Sequence, residues 1–182
     1  MTVQNLLGLL SAAGLRISEA LNLDCADVDF EKNLLVVKEA KFGKSRYVPL
    51  HPTSVEALKE YARFRDKSVK AKSASKAFFL IDNGRPLNYR QALYAFQTIR
   101  RRIAWRRERP PRIHDLRHTF ACNRLLAWYE EGVDVNNAIM MVSVYLGHKK
   151  VSDTYWYITG IPSLMAVAAD RFERYSAEVR NG

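Results

Sequence analysis

Metal-ligand spacing is missing from this sequence. Its two cysteines, Cys25 and Cys122, stand far apart and lie in no CxxC or Cys/His cluster. That excludes a disulfide framework and a structural zinc site, and it suits reduced thiols in the cytoplasm. Carboxylates do not cluster as a two-metal nuclease requires, and no Gly-rich loop of the Walker type occurs. Repeats, internal domain boundaries and long low-complexity tracts are also missing, so the 182 residues read as one domain. The apolar stretch from Met1 to Leu15 lacks a basic leader and a cleavage-like end, and it runs into Arg16 and Glu19. It reads as a core helix, neither a signal peptide nor a membrane span. Negative charge is scarce: 19 Asp+Glu face 29 Lys+Arg, a net of +10. An anionic partner follows, and nucleic acid is the commonest one.

Hydrophobic residues make up 48% of the chain, which argues against wholesale disorder. Val3, Leu6, Leu7, Leu9 and Leu10 form a helical apolar face that Gly14 ends. Arg16 sits at this break, and a short helix starts at Ser18-Glu19. Asp24 to Asn33 reads as a turn region. Leu34–Val37 and Arg46–Leu50 read as the two strands of a hairpin with Gly43 in its loop. Thr53 and Glu56 fit a capping box before an amphipathic helix bearing Val55, Leu58, Tyr61, Ala62 and Phe64. Residues 66–76 read as a loop, and Ala77–Ile81 as a short buried strand. A long helix opens at Asn88 or Tyr89, with Leu93, Phe96, Ile99 and Ile103 on its apolar side. A helix is expected over Ile113–Glu130 and a mostly buried one over Val135–Leu146. A last amphipathic helix is expected over Leu164–Val179.

Chemistry concentrates in a few places. Arg100, Arg101, Arg102, Arg106, Arg107, Arg109 and Arg112 place seven arginines within thirteen residues, opposed by Glu108 alone. Such a run repels itself unless a polyanion is near, and it suits phosphate contacts that set affinity and register. His114 and Arg117 are three apart, on one face of a first helical turn. A helix N-terminus also favours phosphate. His148 follows the Gly147 break, and Tyr157 lies nine residues on. Each alone has a plain reading: an exposed Arg16, a satisfied core His114, an ion-paired Arg117, core aromatics at Tyr155, Trp156 and Tyr157. Together they form an inventory for holding a phosphodiester and attacking it with a phenol.

These residues carry a resemblance. Gly14-Leu15-Arg16-Ile17-Ser18-Glu19-Ala20-Leu21, then Lys41 ahead of Arg46-Tyr47-Val48-Pro49-Leu50, then His114-Asp115-Leu116-Arg117-His118-Thr119, then Leu146-Gly147-His148 and Tyr157 resemble, in order and spacing, the catalytic domain of the tyrosine recombinases, or phage-integrase family. The resemblance runs from about Leu6 to Phe172. Val151–Tyr157 further resembles integrases carried by transposons and plasmids. The implied fold is mainly α with a small antiparallel β-sheet (α+β). The implied activity is metal- and ATP-independent cleavage and rejoining of double-stranded DNA through a 3′-phosphotyrosine, with no cofactor. By the same resemblance Arg16 and Arg117 clamp the scissile phosphate, Lys41 protonates the leaving 5′-oxygen, and His114 gives acid–base support. His148 hydrogen-bonds the phosphate, Tyr157 attacks, and Glu19 supports the site. Lys44 competes with Lys41 for the hairpin role. Lys44, Arg46, Lys149 and Lys150 join the seven arginines as expected DNA contacts.

The family usually carries a DNA-clamping domain ahead of the catalytic one. Only fifteen residues precede Arg16, so that domain is expected to be absent from this chain, with weak DNA binding and a monomer in solution as results. On DNA the resemblance implies a tetramer with other recombinase protomers, the final helix docking in cis or in trans. Alternatives are a type IB topoisomerase-like relaxing enzyme, a catalytically silent DNA-binding module, and an RNA-binding protein. No membrane association is expected.

Overall fold

A computed structural model describes residues 1–38, 45–68, 75–103, 110–148, 150 and 154. They fall into two compact units, Met1–Arg117 and His118–Gly182. The described elements are helical apart from a three-stranded antiparallel sheet, the expected α+β architecture.

The first unit opens with α1 (Thr2–Ala13), which buries Leu6, Leu9, Leu10 and Ala13 and packs against α2, α3 and α4. Gly14 ends it at φ 60°, its N–H bonded to the Leu10 carbonyl. A left-handed residue at this position is glycine's usual role, because a Cβ there meets the following carbonyl. Leu15 is buried directly after the turn, and α2 (Ile17–Leu21) follows.

The sheet has the order β1 (Val28–Asp29), β2 (Leu34–Lys38), β3 (Ser45–Pro49). The hairpin is as expected, with Leu35 opposite Val48 and Val37 opposite Arg46. The region read as a turn adds β1, pairing Val28 with Leu35 and Asp29 with Leu34. A two-residue strand is too short to show a period-two pattern. Ala77–Ile81 in turn forms no strand of the sheet, only isolated bridges Asp24–Ala77 and Leu80–Pro86. Its Phe78 and Phe79 are nevertheless core residues. Their rings lie 5.1 Å apart, and 5.6 and 5.4 Å from the Tyr61 ring. The Tyr61 hydroxyl accepts from the Leu80 N–H and lies 3.4 Å from the Thr2 hydroxyl, so the buried phenol is satisfied.

Helix α3 (Pro52–Ser68) starts with proline at its first position, where no N–H is needed. The expected Thr53–Glu56 box is replaced. The His51 Nδ1 takes the Thr53 hydroxyl at 2.8 Å and the Thr53 N–H at 3.4 Å, and Glu56 pairs with Lys59. With Pro52 setting the start, Thr53 is already inside the helix. Val55, Leu58 and Tyr61 are buried as expected, whereas Phe64 is exposed. Helix α4 (Tyr89–Arg102) is capped reciprocally by Asn88 and Gln91. Ile99 and Ile103, placed on its apolar side, are 44% and 48% exposed.

Helix α5 (Asp115–Glu130) begins within the first unit and continues into the second. In the second unit Ala121 and Leu125 of α5 form one core with Ala138, Ile139, Val142 and Leu146 of α6 (Val135–Leu146). Phe120 and Tyr145 stack at 5.4 Å. Asp134 caps α6 by accepting from the Asn137 N–H. The helix is less buried than its composition suggested: Met140, Met141 and Val144 are exposed. An apolar side chain on the far face of a helix is common in proteins and needs no burial. The hairpin glycine, the Tyr155–Trp156–Tyr157 aromatics and the Leu164–Val179 helix lie outside the described residues.

Candidate active site

Glu19 gathers three arginines of the first unit. It sits at the third position of α2, and its Oε2 accepts the Arg16 backbone N–H at 2.8 Å. That is one half of a capping box. Arginine cannot return the other half, having no acceptor. The Arg16 guanidinium turns onto the same carboxylate instead, Nη1 donating to Oε1 at 2.8 Å. From β3, Arg46 donates Nη1 to Oε1 and Nη2 to Oε2, both at 2.9 Å. From α5, Arg117 Nη1 lies 3.8 Å from Oε2 and donates to the Gly14 carbonyl at 2.8 Å. The turn that ends α1 therefore supplies the acceptor for an arginine from the opposite end of the unit.

The three guanidinium groups differ in exposure. The Arg16 side chain is 38% exposed, that of Arg46 16% and that of Arg117 2%. Among the described residues no buried side-chain nitrogen or oxygen is left without a hydrogen-bond partner, so the buried Arg117 is satisfied. Glu19 is itself well buried. Burial alone would raise its pKa. The hydrogen bond with Arg46, the Arg16 N–H, the Arg46 charge and the Arg16 guanidinium outweigh that and hold it below its ordinary value. Glu19 is thus an anion surrounded by cations at neutral pH.

His114 lies in the turn just before α5 rather than in its first turn, and its carbonyl accepts from the Arg117 N–H at 3.1 Å. Partial desolvation of the ring, then the positive charges of Arg117 and Arg112, lower its pKa. Asp115 opposes them and Arg16 adds to them. The shift favours the neutral imidazole over the charged form. Asp115 opens α5 and binds Arg112, taking its N–H at 2.8 Å and its guanidinium at 3.1 Å. Burial would raise the Asp115 pKa, but these bonds and the charges of Arg112 and His114 hold it below its ordinary value.

In the second unit, His148 follows Gly147, which takes φ 67° after α6. The His148 N–H bonds to the Ser143 carbonyl, and Nδ1 lies 2.8 Å from the hydroxyl of Thr154, a fully buried residue. Whichever partner carries the proton, this bond orients the ring.

The structure thus brings Arg16, Glu19 and Arg117 together, with His114 within reach of their charge. Arg46, expected on DNA, has both terminal nitrogens on Glu19. The alternation Arg46, Val48, Leu50 carried the signal: in a strand these share a face, and Val48 and Leu50 are buried while Tyr47 is exposed. Thr154 as the partner of His148 had no comparable signal. Arg101, Arg102 and Lys150 are exposed. Arg100 is half-buried with Nη1 on the Pro111 carbonyl, and the exposed Arg112 pairs with Asp115. Lys41, Lys44, Arg106, Arg107, Arg109, Lys149, Tyr155 and Tyr157 lie outside the described residues. Among the described residues no group of His, Cys, Asp or Glu could hold a metal ion, and no helix is long and apolar enough to cross a membrane.

The chain is similar to "Putative integrase/recombinase y4rB" of Sinorhizobium fredii, 42% identical over 172 residues, covering 93% of this chain and 55% of that protein. It therefore spans about half the length of that relative. The fold is similar to that of XerA recombinase in its crystal structure, with TM-score 0.73, 20% identity, and coverage of 96% of this chain and 62% of that one. A XerH site-specific recombinase bound to palindromic difH substrate, in a post-cleavage complex, gives TM-score 0.70 and 25% identity, covering 94% of this chain and 46% of the other. The phage integrase family model matches residues 1–160, which contain Arg16, Glu19, His114, Arg117, His148 and Tyr157. With the match spanning most of the sequence and every motif in it, the chain belongs to the phage integrase family.

Proposed function

We propose that this chain is the catalytic part of a site-specific DNA recombinase that cuts and rejoins double-stranded DNA through a tyrosine–phosphate bond. The observation that supports this reading best is the carboxylate of Glu19 holding Arg16 while Arg117 lies 3.8 Å away. Two arginines from motifs a hundred residues apart share one anchor.

The chemistry follows from the charges. A phenol with a pKa near 10 is a weak nucleophile at neutral pH and needs cations and a base beside it. Arg16, from the solvent side, and Arg117, as a buried charge beneath it, neutralise the non-bridging oxygens as negative charge builds on phosphorus. The Tyr157 oxygen forms the new bond to phosphorus, and the bond to the 5′-oxygen breaks. Lys41 gives that oxygen its proton. His114, whose pKa its surroundings lower, takes part in proton movement at the phosphate, and His148 donates a hydrogen bond to it. Rejoining is the reverse: a 5′-hydroxyl attacks the phosphotyrosine, which has conserved the energy of the broken ester. No metal or nucleotide enters the scheme. Assembly with other protomers on DNA belongs to this reading.

The test is covalent trapping. The chain and a Tyr157→Phe variant are incubated with nicked duplexes carrying candidate attachment sequences, in EDTA. A denaturation-resistant protein–DNA adduct that vanishes in Tyr157→Phe supports the reading. An adduct that persists moves the nucleophile to Tyr155 or elsewhere.

A further inference from the structure

Arg46 has no role in the chemistry above, yet it makes the most complete contact with Glu19. Its two terminal nitrogens meet the two carboxylate oxygens at 2.9 Å each, the parallel fork that fixes a carboxylate in plane and angle. The remaining acceptor directions of that carboxylate go to Arg16, one to its backbone N–H and one to its guanidinium. Arg46 stands on the sheet face that buries Val48, opposite Val37 in β2. Its backbone is therefore set by the ladder, independently of α2. The Glu19 side chain has several rotatable bonds, so without a partner its carboxylate has no single fixed orientation. A fork anchored in the sheet selects one.

We propose that Arg46 is a positioning residue: it clamps the Glu19 carboxylate from the sheet so that Glu19 fixes Arg16, by backbone and side chain, in the orientation that meets the phosphate. This rests on the recombinase reading for its purpose, though the clamp is a property of the folded chain. Among the described residues, the charged groups that face Glu19 are Arg16 at the start of α2, Arg46 on β3 and Arg117 on α5. Of these, Arg16 alone is substantially exposed. A phosphate pulling on Arg16 thus works against a carboxylate already pinned by Arg46. Lysine cannot reproduce the arrangement, because a single ammonium cannot span both oxygens.

The experiment compares the full chain with Arg46→Lys and Arg46→Met. Circular dichroism and one-dimensional NMR establish that each variant folds. Side-chain carboxyl carbons of glutamate are labelled with 13C, the Glu19 signal is assigned through Glu19→Gln, and its titration is followed. The Glu19 carboxyl is expected to titrate about one pH unit or more higher in Arg46→Met, with Arg46→Lys between that variant and the unsubstituted chain. Adduct formation on the nicked duplex is expected to slow by about tenfold or more, with its acid limb moved to higher pH and duplex affinity changed by less than about twofold. A merely structural role would lower stability without moving the acid limb. An unchanged Glu19 titration overturns the proposal. So does a loss of duplex affinity in step with the rate, which would make Arg46 a direct phosphate contact. If the unsubstituted chain forms no adduct, the rate comparison falls away, and the Glu19 titration alone decides the role of Arg46.

Discussion

Arg117 donates from Nη1 to the carbonyl of Gly14 at 2.8 Å, joining the first turn of α5 to the left-handed turn that ends α1. The geometry of Gly14 and the orientation of Arg117 are therefore one feature. Gly14→Ala is expected to destabilise the chain by about 1–2 kcal/mol, because its φ of 60° carries a Cβ penalty. The accompanying shift of the carbonyl is expected to weaken phosphate chemistry further than stability. Urea unfolding and adduct formation measured on the same preparation check both parts. Equal small losses would mean the turn does not position Arg117.

Glu19 makes stability depend on acid. Its folded pKa is lowered, with burial opposing and the hydrogen bonds and charges of Arg46 and Arg16 prevailing. The sign is that of a depressed carboxyl. Its contribution is complete above the unfolded glutamate value of about 4.3 and is lost as pH falls through the lower folded value. Unfolding free energy measured from pH 7 downward is expected to fall across that window. In Glu19→Gln the fall is expected to be shallower, on a lower plateau. Parallel curves would remove Glu19 as the source.

His114 reports on the anion. Its pKa is lowered by partial desolvation and by the charges of Arg117, Arg112 and Arg16, against Asp115. An oxyanion bound among the arginines cancels part of that positive field. NMR titration of the His114 ring is expected to give a value below the ordinary histidine range, rising when inorganic phosphate is added. A midpoint that phosphate does not move would place the anion elsewhere.

Thr154 tests His148. Its hydroxyl lies 2.8 Å from Nδ1 in a fully buried setting, and Thr154→Val keeps the shape while deleting the bond. One such hydrogen bond is worth about 1–1.5 kcal/mol, or roughly tenfold in rate if it orients a reacting group. Adduct formation is expected to slow by about that factor at unchanged duplex affinity. An unaffected rate would mean that the ring needs no orientation by Thr154.

What was legible beforehand were features that depend on near neighbours in sequence. Gly14 and Gly147 end their helices, Asn88 opens α4, and β2 and β3 pair as a hairpin, because turn conformation and apolar period act over a few residues. The motif arginines and histidines were legible for a related reason: the order Arg16, Glu19, His114, Arg117, His148, Tyr157 is a pattern in one dimension. Local reading failed where a distant partner decides. Val28–Asp29 becomes a strand because Leu34 and Leu35 offer it a ladder. Ile99 and Ile103 stay exposed on a face that periodicity assigned to a core.

The amino-acid sequence by itself determined the family, the helical architecture with its small sheet, and the set of groups able to hold and attack a phosphodiester. Only the tertiary structure decided how those groups are held. Glu19 shares its four acceptor directions between an arginine three residues away and another on a strand twenty-seven residues on. Arg117 is buried because a carbonyl 103 residues earlier is turned toward it. Charge and residue type are written locally. The orientation of a charged fork is set by whichever acceptor the fold brings within hydrogen-bond distance.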